Sequence, residues 1–215
     1  MKKVLCLCLV FAMLTLLCGC GPTEKDKLLG SWTGVVDLTY LFNETMSAEA
    51  GEEVGPYLHI QEFPVTITLT FNEDDTFSMI VDEEALAVTV DNAKADLSES
   101  LKQYLMDTVS AALGVEMPIE ELLEYAGISM DAIMDGIFTQ ELIDGMVSGV
   151  NSAGKFVAEE GKLYLSAGLS YEVDKSIYES YTLEGKVLTL LEFISGEEVD
   201  SFTKALYPMV FNKVS

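Results

Sequence analysis

Apolar and polar positions alternate from Trp32 to Phe42. Trp32, Gly34, Val36, Leu38, Tyr40 and Phe42 fall on one face, and Thr33, Asp37 and Thr39 on the other. A period of two is the signature of a half-buried strand. Residues 43–62 are irregular, with a short helix expected around Ser47 to Glu53. The stretch FPVTITLTFNEDDTFSMIV then reads as a hairpin. Val65, Ile67, Leu69 and Phe71 alternate with threonines, Asn72 to Asp75 turn the chain, and Phe77, Met79 and Val81 return.

At Asp82 the period changes. Leu97, Leu101, Tyr104, Leu105, Thr108 and Ala112 recur at helical spacing, opposite Glu99, Lys102 and Asp107. Pro118 suits the first turn of a further helix carrying Leu122 and Leu123. Ser129 and Thr139 have the chemistry of N-caps for two more. A helical insert is therefore expected from about Asp82 to Ser148.

Strands resume beyond it. EGKLYL (160–165) and EGKVLTL (184–190) each set an acidic residue, a glycine suited to positive φ and a lysine before an apolar strand. Their partners are Lys155 to Ala158 and Ile177 to Leu183. A polar segment of helical character spans Glu197 to Leu206, and Pro208 to Val214 forms the last strand. The fold class is mainly β with a helical insert (α+β). Eight antiparallel strands in up-and-down order can close into a barrel and so lose their edges. The inward faces of the first two strands, Val36, Leu38, Tyr40, Val65, Ile67 and Leu69, are expected to line it. Those residues suit a ligand cavity or a solid core equally.

The amino-terminal pattern is different in kind. Lys2 and Lys3 precede an apolar run from Val4 to Leu17. That is signal-peptide length, well short of the roughly 20 residues a membrane-spanning helix needs. Leu17-Cys18-Gly19-Cys20 behind it resembles the lipobox of bacterial lipoproteins. The resemblance implies cleavage after Gly19 and a diacylglyceryl thioether on Cys20, anchoring the chain to the outer face of the cell membrane. Residues 1–19 are then signal peptide, 20–27 the lipidated cysteine and its tether, and 28–215 the folded domain. All four cysteines (6, 8, 18 and 20) lie at or before that cut, so a disulfide framework and a thiolate zinc site are excluded.

Gly30-Ser31-Trp32, TFNEDDTFSM, YTLEGKVLTL and the closing MVFNKV are similar, in that order, to the lipocalin-like domains of bacterial surface lipoproteins. The resemblance covers residues 28–81 and 154–214. It implies that Trp32 plugs one end of the barrel. The helical insert departs from that pattern, and so does Asp75, which stands where the family commonly has glycine. Members with this pattern mostly lack an assigned activity.

Charge and side-chain inventory narrow the function further. Twelve basic residues, every one a lysine, face 36 acidic ones, a formal charge of −24. Nucleic acid is excluded as a partner, because phosphate binding needs a basic face. An anionic membrane surface repels such a domain, which leaves the lipid as its anchor. His59 is the only histidine, with Glu62 its only nearby carboxylate, too little for general-base chemistry or a transition-metal site. Asn72 to Asp75 is too short for a calcium loop and lacks its glycine. VNSAG (150–154) misses the nucleophile-elbow pattern G-x-S-x-G. No enzymatic activity, cofactor or metal is expected.

Five methionines in the insert (106, 117, 130, 134 and 146) either fill the seam against the barrel or offer an adaptable contact surface. Two functions follow as expectations. One is capture of a small apolar or amphiphilic ligand in the barrel under a helical lid. The other is an envelope protein-interaction or structural lipoprotein that uses the insert as its contact surface.

Overall fold

The computed structural model describes residues 22–113, 118–166 and 168–214. The expected signal peptide (residues 1–19), the expected lipid-attachment residue Cys20 and Met117 lie outside the described residues. The eight strands are β1 (Gly30–Asp37), β2 (Pro64–Phe71), β3 (Thr76–Val81), β4 (Ser152–Glu159), β5 (Lys162–Leu165), β6 (Tyr178–Glu184), β7 (Val187–Ile194) and β8 (Met209–Lys213). They form one closed antiparallel barrel in sequence order. Closure comes from β8 returning to β1, with Trp32 opposite Lys213, Thr33 opposite Asn212 and Gly34 opposite Phe211.

All long connections leave one end of this barrel. There α1 (Glu24–Leu28) is absent, and the connections carry α2 (Thr39–Val54), then α3 (Glu83–Leu113), α4 (Ile119–Ala126), α5 (Met130–Ile137) and α6 (Gln140–Val150), and lastly α7 (Ser201–Ala205). The other end has only the tight turns β2–β3, β4–β5 and β6–β7, and α1 covers it. Thr23 caps α1 in a reciprocal bond with Asp26. Glu24 accepts from the Gly161 N–H and the Tyr181 hydroxyl, each at 3.1 Å. Lys25 reaches Asp75 and the Glu73 carbonyl at 2.6 Å. Two neighbouring hairpin turns are thereby clasped to α1. The domain thus starts at Thr23 and not at Leu28, and the segment 24–27 is docked helix where a free tether was expected.

The first strand ends five residues earlier than its alternation predicts. Asp37 accepts from the backbone N–H and the hydroxyl of Thr39, a local turn that competes with strand extension. The chain then enters α2, where the spacing becomes four: Leu38, Phe42, Met46, Ala50 and Val54 all pack against the core. Phe42 stacks between Phe63 and Phe138. The insert begins one residue after Asp82 and runs through Val150, two residues beyond expectation. Ser129 and Thr139 cap α5 and α6 as their chemistry predicts.

The two E-G-K turns are not copies of one device. In the first, Glu159 pairs with Lys162, so the central residues are Glu160 (φ 52°) and Gly161 (φ 74°). In the second, Glu184 pairs with Val187, and Gly185 (φ 62°) takes the first central position. The first is a type I′ geometry, which favours Asn-Gly, and Glu160 carries a left-handed backbone there. Glu160→Asn is expected to stabilise the domain by about 0.5–1 kcal/mol, read as a shift of the urea midpoint at constant slope.

Candidate functional site

The barrel interior is the first place to look for a site, and it is filled. Val36, Val65, Ile67 and Leu69 point inward and are buried in the core. Phe71 continues the same face of β2, and Phe71, Phe156 on β4 and Phe211 on β8 each have no more than 1 % of their surface exposed. Phe71 and Phe156 pack with ring centroids 4.8 Å apart. Eight strands enclose a space that side chains of this size occupy completely. Leu38 is half-buried at the entrance to α2. Tyr40 lies outside the barrel, on the first turn of α2, and is 66 % exposed. Its removal from the lining follows from the early end of β1.

Trp32 is fully buried beneath α1 at the short-turn end. Its Nε1 donates to the Leu28 carbonyl at 2.6 Å, and Lys213 Nζ sits 4.8 Å above the ring.

Among the described residues Thr89, Ser166 and Glu179 are the buried polar ones, and of these only Glu179 is ionisable. Glu179, on β6, is 9 % exposed, and its Oε1 accepts from the Tyr207 hydroxyl at 2.9 Å. Its Oε2 has no hydrogen-bond partner. Loss of hydration pushes its carboxyl up to about 7, and the Tyr207 bond offsets only part of that rise. Tyr207 in turn is pushed up by its own burial and by the neighbouring carboxyl. Sequence reasoning missed this pair. Glu179 lies in YESYTLE, where the period of two would have put it inward with Tyr181.

Two clefts lie outside the barrel, among the helices. The smaller, about 330 Å³, is bounded by Lys102, Leu123, Ile128 and Met130. The larger, about 700 Å³, runs between α3 and α6 where they join β3 and β4. Its floor is Leu86 and Val90 from α3, with Ile143 and Val147 from α6. Its rim carries Glu83, Asp91 and Asp144. Lys94, the one basic residue on that rim, is tied to Asp135 at 2.7 Å. Of the insert's methionines, Met130 and Met134 are buried, Met146 packs on the core, and Met106 is exposed.

His59 is exposed in the loop before β2. Among the described residues no group of three or more His, Cys, Asp or Glu side chains is arranged to hold a metal ion, and no helix is long and apolar enough to cross a membrane. Comparison of the chain with known protein families, with curated proteins and with solved structures finds no match.

Proposed function

We propose that this chain is a lipid-anchored extracytoplasmic interaction module, held to the membrane through Cys20, whose helical insert is the contact surface. On this reading the barrel is a lipocalin-like stem, and the chain binds rather than catalyses. The observation that carries the reading is the filled interior. A ligand under a helical lid needs empty volume between the strands, and Phe71, Phe156 and Phe211 occupy that volume. The open space belongs to the helices instead.

Polarity along the barrel axis supports the same view. The amino-terminal segment enters at the short-turn end through α1, while the insert leaves from the opposite end. Strands of eight residues rise about 3.3 Å per residue and tilt by about 40°. The barrel therefore holds the insert roughly 20 Å from the end where the anchor attaches. That distance exceeds the Debye length of about 8 Å, so an acidic insert escapes repulsion by the lipid headgroups.

Photo-crosslinking in the intact envelope tests the proposal. A photoreactive residue at Tyr125, which is 93 % exposed on α4, or at Val88 on α3 should yield a discrete crosslinked polypeptide. The same probe at Val210 on the barrel wall should not. If the insert positions stay silent while native mass spectrometry of the purified chain retains a small apolar mass, the interaction reading is overturned and ligand capture replaces it.

A further inference from the structure

We infer that the cleft between α3 and α6 is a docking groove for one basic, amphipathic helix of a partner protein. The inference rests on the interaction reading above and assigns the contact to one site. Shape is the first argument. Glu83 to Lys94 is twelve residues of α3, eleven rises of about 1.5 Å or about 16 Å, three helical turns. A helix is about 10 Å across, so three turns of one, sunk to half its depth, take up roughly 600 Å³. The groove offers about 700 Å³. α3 follows β3 and α6 leads into β4, strands that pair as neighbours with Met79 opposite Ser152, and the two helices line opposite walls. A third helix laid between them completes a layer with ordinary ridge-and-groove packing.

Chemistry is the second argument. The floor of Leu86, Val90, Ile143 and Val147 is apolar along its length, as an amphipathic helix requires of its groove. The rim is acidic on both sides, with Asp91 on α3 and Asp144 on α6, and Glu83 at the end nearest the barrel. Lys94 does not offset them, because Asp135 already neutralises it. The wider field has the same sign, since residues 82–151 hold fifteen acidic residues and two lysines. Such a surface attracts cationic partners and accelerates their encounter.

Charge also decides between occupants. A second copy of this chain is a poor fit, because each described helix of eight residues or more carries more acidic than basic residues and would be repelled. The occupant is therefore a different protein, with lysines or arginines flanking an apolar stripe about three turns long.

The test uses the full chain in zwitterionic lipid nanodiscs, with empty nanodiscs as control. The probe is a fluorescent 18-residue leucine–lysine peptide patterned as an amphipathic helix. Two comparison peptides accompany it, one with the same composition scrambled and one with glutamate in place of lysine. Saturable binding of the patterned basic peptide alone, weakening as salt is raised, is the expected result. The double variant D91K/D144K, both exposed positions, should weaken that binding at least tenfold while leaving the thermal unfolding curve in place. A cysteine at Ser148 on the groove wall should form a disulfide with a cysteine at the centre of the peptide's apolar face.

Equal binding of the scrambled peptide, or no effect of D91K/D144K, overturns the groove. Displacement of the peptide by dodecyltrimethylammonium bound at one molecule per chain, more tightly than the peptide itself, also overturns it in favour of a small cationic amphiphile. The two levels separate cleanly. If Tyr125 still crosslinks a partner while the peptide fails, the groove falls and the interaction reading stands. If every insert position is silent, the interaction reading falls with it.

Discussion

Replacing Gly34 by alanine is expected to lower the unfolding free energy by about 3 kcal/mol, whereas the same replacement at Gly145 raises it by up to about 1 kcal/mol. Opposite signs for one chemical change follow from what surrounds each Cα. A Cβ on Gly34 would lie 2.5 Å from the Val210 carbonyl oxygen and 2.7 Å from Phe211 Cδ1. Neither atom can yield. One is backbone of the strand that closes the barrel, and the other belongs to a fully buried ring in the filled interior. The added methyl must therefore push β1 away from β8 or turn Phe211 out of its place, and both disturb the seam of three residue pairs that joins the sheet's ends. Gly145, on an exposed face of α6, has nothing within 4 Å of the same position. Alanine there gains the usual helix preference over glycine. Equilibrium urea unfolding of the two variants, followed by Trp32 fluorescence, is the measurement. A Gly34→Ala protein as stable as the parent would mean that the seam has room, and with it the barrel core.

That comparison bears on function as well as stability. The tight fit of Phe211 over Gly34 is part of the filling that leaves the barrel without ligand space. Phe77 over Gly154 adds to it, since a Cβ on Gly154 would come within 2.9 Å of Phe77 Cε1 and 2.5 Å of the Ser166 carbonyl oxygen. Glycine opposite phenylalanine lets a large ring cross a narrow barrel. A hollow barrel of the same strand number would not need such pairs.

Alternation was clearest on β2, where inward and outward neighbours differ sharply. Val65, Ile67, Leu69 and Phe71 face the core and the threonines between them face out. The N-caps Ser129 and Thr139 were legible because capping is a local interaction. What alternation could not distinguish was Leu38-Thr39-Tyr40-Leu41-Phe42, in which Leu38, Tyr40 and Phe42 satisfy a period of two over five positions. Extending the window exposes the spacing of four through Leu38, Phe42, Met46, Ala50 and Val54, and Asp37 bonding to Thr39 marks where the strand gives way.

The groove was not legible for a different reason. Its floor joins Leu86 and Val90 to Ile143 and Val147, over fifty residues apart in sequence, and only the pairing of β3 with β4 brings those helices side by side. The sequence did show an acidic surplus capable of attracting cations, but a surplus has no location until the chain folds.

The stability of this domain is expected to fall as pH rises from about 4.5 to 7, and Glu179→Gln is expected to remove that part of the dependence. In the folded protein burial holds the Glu179 carboxyl protonated up to about 7, against 4.5 for the same group in water. Below 4.5 the group is neutral in both states and has no effect. Between 4.5 and 7 the unfolded chain releases the proton and the folded chain keeps it, so each pH unit favours unfolding by about 1.4 kcal/mol. Above 7 both states are ionised and the loss levels off at roughly 3 kcal/mol. Tyr207, the titratable group that touches Glu179, stays protonated throughout this range, so its hydroxyl remains a donor.

Glutamine keeps the acceptor for Tyr207 but cannot ionise. It leaves an amide where Oε2 had no partner, at a cost that does not change with pH. The informative quantity is therefore the change in the variant-minus-parent difference between pH 4 and pH 8. Titrations elsewhere in this acidic chain cancel from that difference. Urea unfolding at the two pH values should show the variant gaining roughly 3 kcal/mol relative to the parent. A difference that stays flat would mean that Glu179 is hydrated in the folded protein and ionises like a surface carboxylate. The wall between β6 and the segment before β8 would then be open to water, and the filled barrel on which the interaction reading rests would be open at that point too.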